Sequence, residues 1–124
     1  MRIRISWKGG EVFGKLKDTP TAKQLFAALP CTSRANTWGE EVYFSVPVKT
    51  SLEPDATDVV DPGTICFWVQ GSSLALPFGP TPVSRGNECR LVTAVNILGE
   101  IEGDPRALAA IGDGDSVTVS RVEK

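Results

Sequence analysis

Apolar and polar residues alternate along most of this chain, so β-strands are its expected framework. In Arg2 to Trp7, Ile3, Ile5 and Trp7 share one face. Lys8-Gly9-Gly10-Glu11 then supplies a tight turn, and Glu11 to Leu16 returns as the second strand of a hairpin. The period changes in DTPTAKQLFAALP, where Ala22, Leu25, Phe26 and Leu29 recur at helical spacing. Asp18 or Thr19 caps this helix, Pro20 suits its first turn and Pro30 marks its stop.

Alternation resumes in NTWGEEVYFSVPV. Val42, Phe44, Val46 and Val48 share one face and Tyr43, Ser45, Pro47 and Lys49 the other, with Pro47 restricting the segment to an edge or bulged strand. Ser51 to Gly63 is acidic, holding Glu53, Asp55, Asp58 and Asp61. Its spacing departs from the calcium-loop pattern of central glycine and terminal glutamate, so a solvated loop is expected. Thr64 to Gln70 puts Ile65, Phe67 and Val69 on one side and Cys66, Trp68 and Gln70 on the other; Gly71-Ser72-Ser73 turns the chain and Leu74 to Pro77 returns. The Pro- and Gly-rich PFGPTPVSRGNECR leads to a strand over Val92 to Leu98. Asp104-Pro105 opens a short helix through Ala110, and Gly112 to Asp115 turns into a closing strand from Ser116 to Val122. Six or more short strands with two helices predict a small antiparallel barrel or sandwich whose ends the helices close. Ile5, Val42, Phe44, Ile65, Phe67, Val69, Val117 and Val119 are the expected core.

The 124 residues, 41% of them hydrophobic and 23% charged, suit one domain spanning 1–124. A chain of this length buries roughly 65% of its unfolded surface without staples. Its 13 Lys and Arg against 15 Asp and Glu leave a net charge of -2 with no block of either sign, so neither nucleic acid nor a membrane surface is an expected partner. The opening MRIRISWKGG lacks the apolar core of a signal peptide, and no apolar run approaches a membrane span, which points to the cytoplasm. Cys31, Cys66 and Cys89 are odd in number and far apart, the pattern of reduced thiols. The absence of histidine narrows the chemistry most. It removes Ser-His-Asp and Cys-His mechanisms and the commonest ligand of zinc, copper and iron. Carboxylates, Arg, Lys, Tyr or positioning alone must carry any reaction, and no cofactor or bound metal is expected.

Four segments in order, NTWGEEVYF (36–44), GTICFW (63–68), FGPTPVS (78–84) and VNILGEI (95–101), resemble the small cyclophilin-like proteins of bacteria and archaea, a largely uncharacterised group. The resemblance covers nearly the full length and implies a mainly β fold: a closed eight-stranded antiparallel barrel capped by two short helices. True cyclophilins isomerise prolyl bonds with an arginine in a Phe-His-Arg motif and a Gln-Phe-Phe segment that shapes the proline pocket. Neither is matched here, because Arg34 sits in SRAN and LPFGPTP stands where the pocket segment is expected. Isomerisation needs no base or metal, only a seat for the proline ring and a donor aimed at its nitrogen, so Arg34 and Arg85 are the donors to examine.

If Val42, Phe44, Ile65 and Phe67 fill the barrel, strand parity sends Tyr43 and Trp68 outside, with Trp38 on the corner beside them. Large aromatics on an outer face need a cover. Helices or loops supply it, or the rings, with Phe78, form a groove rimmed by Glu40, Glu41, Arg85 and the Pro-stiffened loop from Pro77 to Pro82. Adjacent Glu40 and Glu41 diverge in an extended chain, so only one can face such a groove. The lone amide of Asn96 is expected to bond backbone at a bulge or turn. The sequence therefore supports a binding module holding a peptide or small metabolite at Trp38, Glu40, Tyr43, Trp68, Phe78 and Arg85. A divergent prolyl isomerase and a structural subunit that buries the aromatic face against a protein partner are the alternatives.

Overall fold

The computed structural model describes residues 1–122; the last two positions of the 1–124 domain lie outside the described residues. The opening hairpin pairs β1 (Arg2–Trp7) with β2 (Gly10–Leu16) and is followed by α1 (Pro20–Ala28). Thr19 is the N-cap, its hydroxyl accepting from the Ala22 N–H at 3.2 Å, and Pro20 opens the first turn without wasting a donor. Ala22 and Leu25 turn inward.

β3 (Cys31–Arg34) and β4 (Asn36–Thr37) follow, then β5 (Glu41–Ser45), β6 (Thr57–Val60), β7 (Thr64–Trp68), β8 (Ser73–Pro77), the long β9 (Cys89–Ile101) and β10 (Ser116–Val122). Neighbours run in the order β3-β10-β1-β2-β9-β7-β8-β5-β4, all antiparallel, and β6 joins β9 from off this path. β3 and β4 are one extended stretch interrupted at Ala35, where the Ala35 N–H donates to Asp115 at 2.8 Å. Because its first half pairs with β10 and its second with β5, the stretch nearly closes the sheet into a barrel. With that stretch counted once and β6 set aside, the ring has eight strands. Closure at β2 and β9 needs Gly99: a Cβ there would lie 1.9 Å from the Lys15 carbonyl oxygen, so no other residue allows the backbones so close.

The expected core residues line this barrel. Phe44, Phe67, Ile5, Ile65, Val42, Val117 and Val119 are buried in one cluster, and Val69 packs partly buried against it. Leu25 of α1 and Leu108 of a second short helix, Pro105–Ala110, join the same cluster. That second helix is 3-10, capped by Asp104 accepting from the Arg106 N–H at 2.9 Å and closed by the Ile111 N–H donating to Leu108. Six residues between an Asp-Pro start and a Gly stop leave no room for α-helical bonding to propagate.

β3 and β4 are strands where the pattern shows none, β5 stops at Ser45 short of the expected Val48, and two further segments differ from the expectation. Thr57–Val60 is a strand within what reads as a solvated acidic loop, since Val59 and Val60 hydrogen-bond onto β9 and Arg90 neutralises Asp58 at 2.9 Å. The strand expected over Val92 to Leu98 extends to Cys89 and Ile101. Asn96 meets its expectation: fully buried, it donates to Ser51 O and Thr21 Oγ1, both at 3.0 Å, and accepts from the Glu53 N–H at 2.7 Å. This bonded knot ties the loop after β5 and the start of α1 to β9, beside the register shift between Ile65 and Cys66. Among the described residues no helix is long and apolar enough to cross a membrane.

Candidate functional site

The outer face of β5, β8 and β7 carries a second apolar cluster, separate from the barrel core, built from Cys66, Ala75, Leu91 and Val95 with Tyr43, Val60, Trp68 and Ile97 packed on it. Its layout follows from register. Tyr43 on β5 lies opposite Ala75 on β8, which lies opposite Cys66 on β7, so the three form one row across the sheet. Ala75, with the smallest side chain in the row, leaves a depression between larger neighbours. Trp68 stands two residues beyond Cys66 on the same face, its ring 6.0 Å from that of Tyr43 and nearly perpendicular to it at 89°. Trp38 enters from the corner after β4, where its N–H donates to the Glu41 carbonyl at 3.0 Å.

These groups enclose a cavity of about 240 Å³, lined by Trp38, Glu41, Tyr43, Trp68 and Ala75 and completed by Leu91, Val92 and Val95 of β9. Among the described residues Glu41 is the only acidic or basic side chain in the lining. It lies two residues before Tyr43 on the same face of β5, is only 5% exposed, and its Oε1 has no hydrogen-bond partner. Burial pushes its carboxyl up to about 7 from an ordinary 4.5. The Nε1–H of Trp68 is likewise enclosed and unpartnered. Beneath them, burial first and the Glu41 charge second hold the Cys66 thiol well above its ordinary range. That thiol is no nucleophile.

Three of the six residues singled out in the sequence, Trp38, Tyr43 and Trp68, thus share one cavity. The other three are elsewhere. Glu40 lies in the bend before β5, outside the cavity lining, and pairs with Arg106 at 3.1 Å. Phe78 is buried in the barrel core, with Arg106 stacked 6.0 Å above its ring. Arg85 is exposed on the loop after Ser84, where its backbone N–H donates to Glu88 at 2.9 Å. Strand parity contains the signal for Glu41, because whatever face Tyr43 takes Glu41 takes too. No comparable signal marks Leu91, Val92 and Val95, whose place depends on β9 extending to Cys89 and pairing with β6.

The Trp38 corner is held from behind. Gly39 adopts φ +60 and a Cβ there would lie 2.9 Å from the Thr81 backbone, so the corner sits directly on the Pro80–Pro82 loop. Thr81 in turn donates its hydroxyl to the Arg90 carbonyl, and the Cys89 thiol reaches the Gly79 carbonyl at 3.1 Å. The Pro-rich loop therefore braces the cavity from outside it. A second, wider depression of about 410 Å³ lies between β2, β6 and β9, with Lys15, Lys17, Asp61 and Glu100 at its edges. Among the described residues no cluster of three or more Cys, Asp or Glu is arranged to hold a metal ion.

No curated protein matches the sequence. Among solved structures, the solution structure of a hypothetical protein from Archaeoglobus fulgidus is similar over 98% of this chain and 95% of that one, with 36% identity and a TM-score of 0.83. The family described as cyclophilin-like matches residues 1–120. With the barrel, its two covering helices and this match in agreement, the chain belongs to the cyclophilin-like family.

Proposed function

We propose that the protein is a binding module that takes a small metabolite or a peptide side chain into the outer-face cavity at Trp38, Glu41, Tyr43 and Trp68. One observation carries this reading: two residues that line one aromatic cavity, Glu41 and Trp68, each hold a buried polar atom without a partner, Oε1 and Nε1. An orphaned buried group costs about 1 to 3 kcal/mol, more if charged, and folding alone gives no return for it. A ligand that pairs with it does. The three free thiols fit a reducing compartment, so we place the protein in the cytoplasm.

A screen of small metabolites and short peptides against the full chain, followed by tryptophan fluorescence and confirmed by calorimetry, tests the site. Binders should lose at least tenfold in affinity in Trp38→Phe or Trp68→Phe. A binder whose affinity both substitutions leave unchanged places the site elsewhere.

Prolyl isomerase activity is not expected. Arg34 spends its Nη1 on the Gly114 carbonyl at 3.1 Å, and Arg85 is on an exposed loop outside the cavity lining. A coupled isomerisation assay with a proline-containing peptide should show the uncatalysed rate. Acceleration that disappears in Arg34→Ala or Arg85→Ala would reverse this reading.

A further inference from the structure

We propose that the ligand group seated in this cavity is a small organic cation, an alkylated ammonium, paired with the Glu41 carboxylate and walled by Trp38, Tyr43 and Trp68. The proposal rests on the reading of the cavity as a ligand site and names the chemistry that fits it. Charge comes first. Among the described residues Glu41 is the only acidic or basic side chain in the lining, and the nearby arginines are already committed: Arg90 to Asp58 at 2.9 Å and Glu88 at 2.7 Å, Arg106 to Glu40 at 3.1 Å. A carboxylate enclosed in apolar surroundings without a counter-charge selects against anions and favours a cation.

The walls add to that preference. Aromatic rings carry a negative face, and a desolvated cation against them gains about 2 kcal/mol or more. Here Tyr43 and Trp68 meet at 89° and 6.0 Å to form a corner, and Trp38 supplies a third ring. The remaining lining, Ala75, Leu91, Val92 and Val95, offers no hydrogen-bond acceptor from its side chains. A bare ammonium has three N–H donors to satisfy and would find too few partners. Replacing its hydrogens by methyl groups removes that demand and gives the aliphatic walls something to pack on. The enclosed Trp68 Nε1–H is a donor left without a partner, and an oxygen on the same ligand would satisfy it.

Calorimetry on the full chain at pH 8 tests this with choline, tetramethylammonium and the neutral isostere of choline, 3,3-dimethylbutan-1-ol. Choline should bind at least tenfold more tightly than the isostere. Glu41→Gln, which keeps the shape of the side chain, should abolish most of that preference while leaving the affinity for the isostere within twofold. Retention of the melting transition by Glu41→Gln separates lost binding from lost folding. Equal affinity for choline and its isostere, or choline affinity unchanged in Glu41→Gln, overturns the cation. Binding of neutral compounds alone, dependent on Trp38 and Trp68, also overturns it but leaves the ligand-site reading standing. If neither the cations nor any compound of the wider screen binds, both fall.

Discussion

Phe67→Ala should lower the unfolding free energy by about 3 to 5 kcal/mol, the range for removing a buried aromatic ring from a packed core. Phe67 is wholly buried and sits in the middle of β7, paired to Leu74 of β8 on one side and to Asn96 of β9 on the other. Two hydrogen-bonded neighbours hold its backbone in place, so the walls of the space left by the ring cannot close over it. The cost is therefore the lost transfer energy of the ring together with the unfilled volume. Val92→Ala, at a position 61% exposed, should change stability by no more than about 0.5 kcal/mol. Urea unfolding with an unchanged slope measures both. A Phe67→Ala midpoint close to the parent's would mean that this ring is not part of the core.

The inside of the barrel was legible because it obeys strict alternation: one parity choice at Phe44 and Phe67 assigns every neighbour on β5 and β7. The same choice sends Tyr43 and Trp68 outward, and the register of β5, β8 and β7 brings them together over Ala75. Polar strands were harder to read. Cys31–Arg34 and Asn36–Thr37 have no buried face of large apolar residues, yet they close the sheet because their backbones pair with β10 and β5. β6 hides in an acidic run, held on β9 by backbone pairing, one Asp58–Arg90 contact and the half-buried Val60. Phe78 shows the limit of treating loop aromatics as exposed. Its backbone N–H donates to the Glu40 carbonyl at 2.8 Å, which tethers the loop to the corner and directs the ring into the core. Long-range pairing of this kind leaves no local pattern to read.

Glu41→Gln should make the empty protein more stable at pH 8 while leaving it nearly unchanged at pH 4. In the folded chain burial holds the Glu41 carboxyl at about 7, and in the unfolded chain it returns to about 4.5. At pH 4 it is largely protonated in both states and hardly distinguishes them. As pH rises from 4.5 the unfolded chain releases its proton while the folded chain retains it, so stability falls until pH passes 7 and the loss is complete. At about 1.4 kcal/mol per pH unit, the loss across that window is about 3 kcal/mol. Glutamine does not ionise and escapes it, and its amide buries a polar group much as the protonated carboxyl does at pH 4, so a gain of about 3 kcal/mol at pH 8 is expected. The groups around Glu41 do not blur the reading: burial raises both the Cys66 and Cys89 thiols and keeps them protonated through the window, and Glu40 is engaged with Arg106. Urea unfolding of parent and variant at pH 4 and pH 8 decides the matter. A difference that is the same at both pH values would show that Glu41 is solvated or paired when folded. A difference that opens with pH and closes when choline is added would join the stability cost to the ligand: a carboxylate that weakens the empty fold is retained for what it binds.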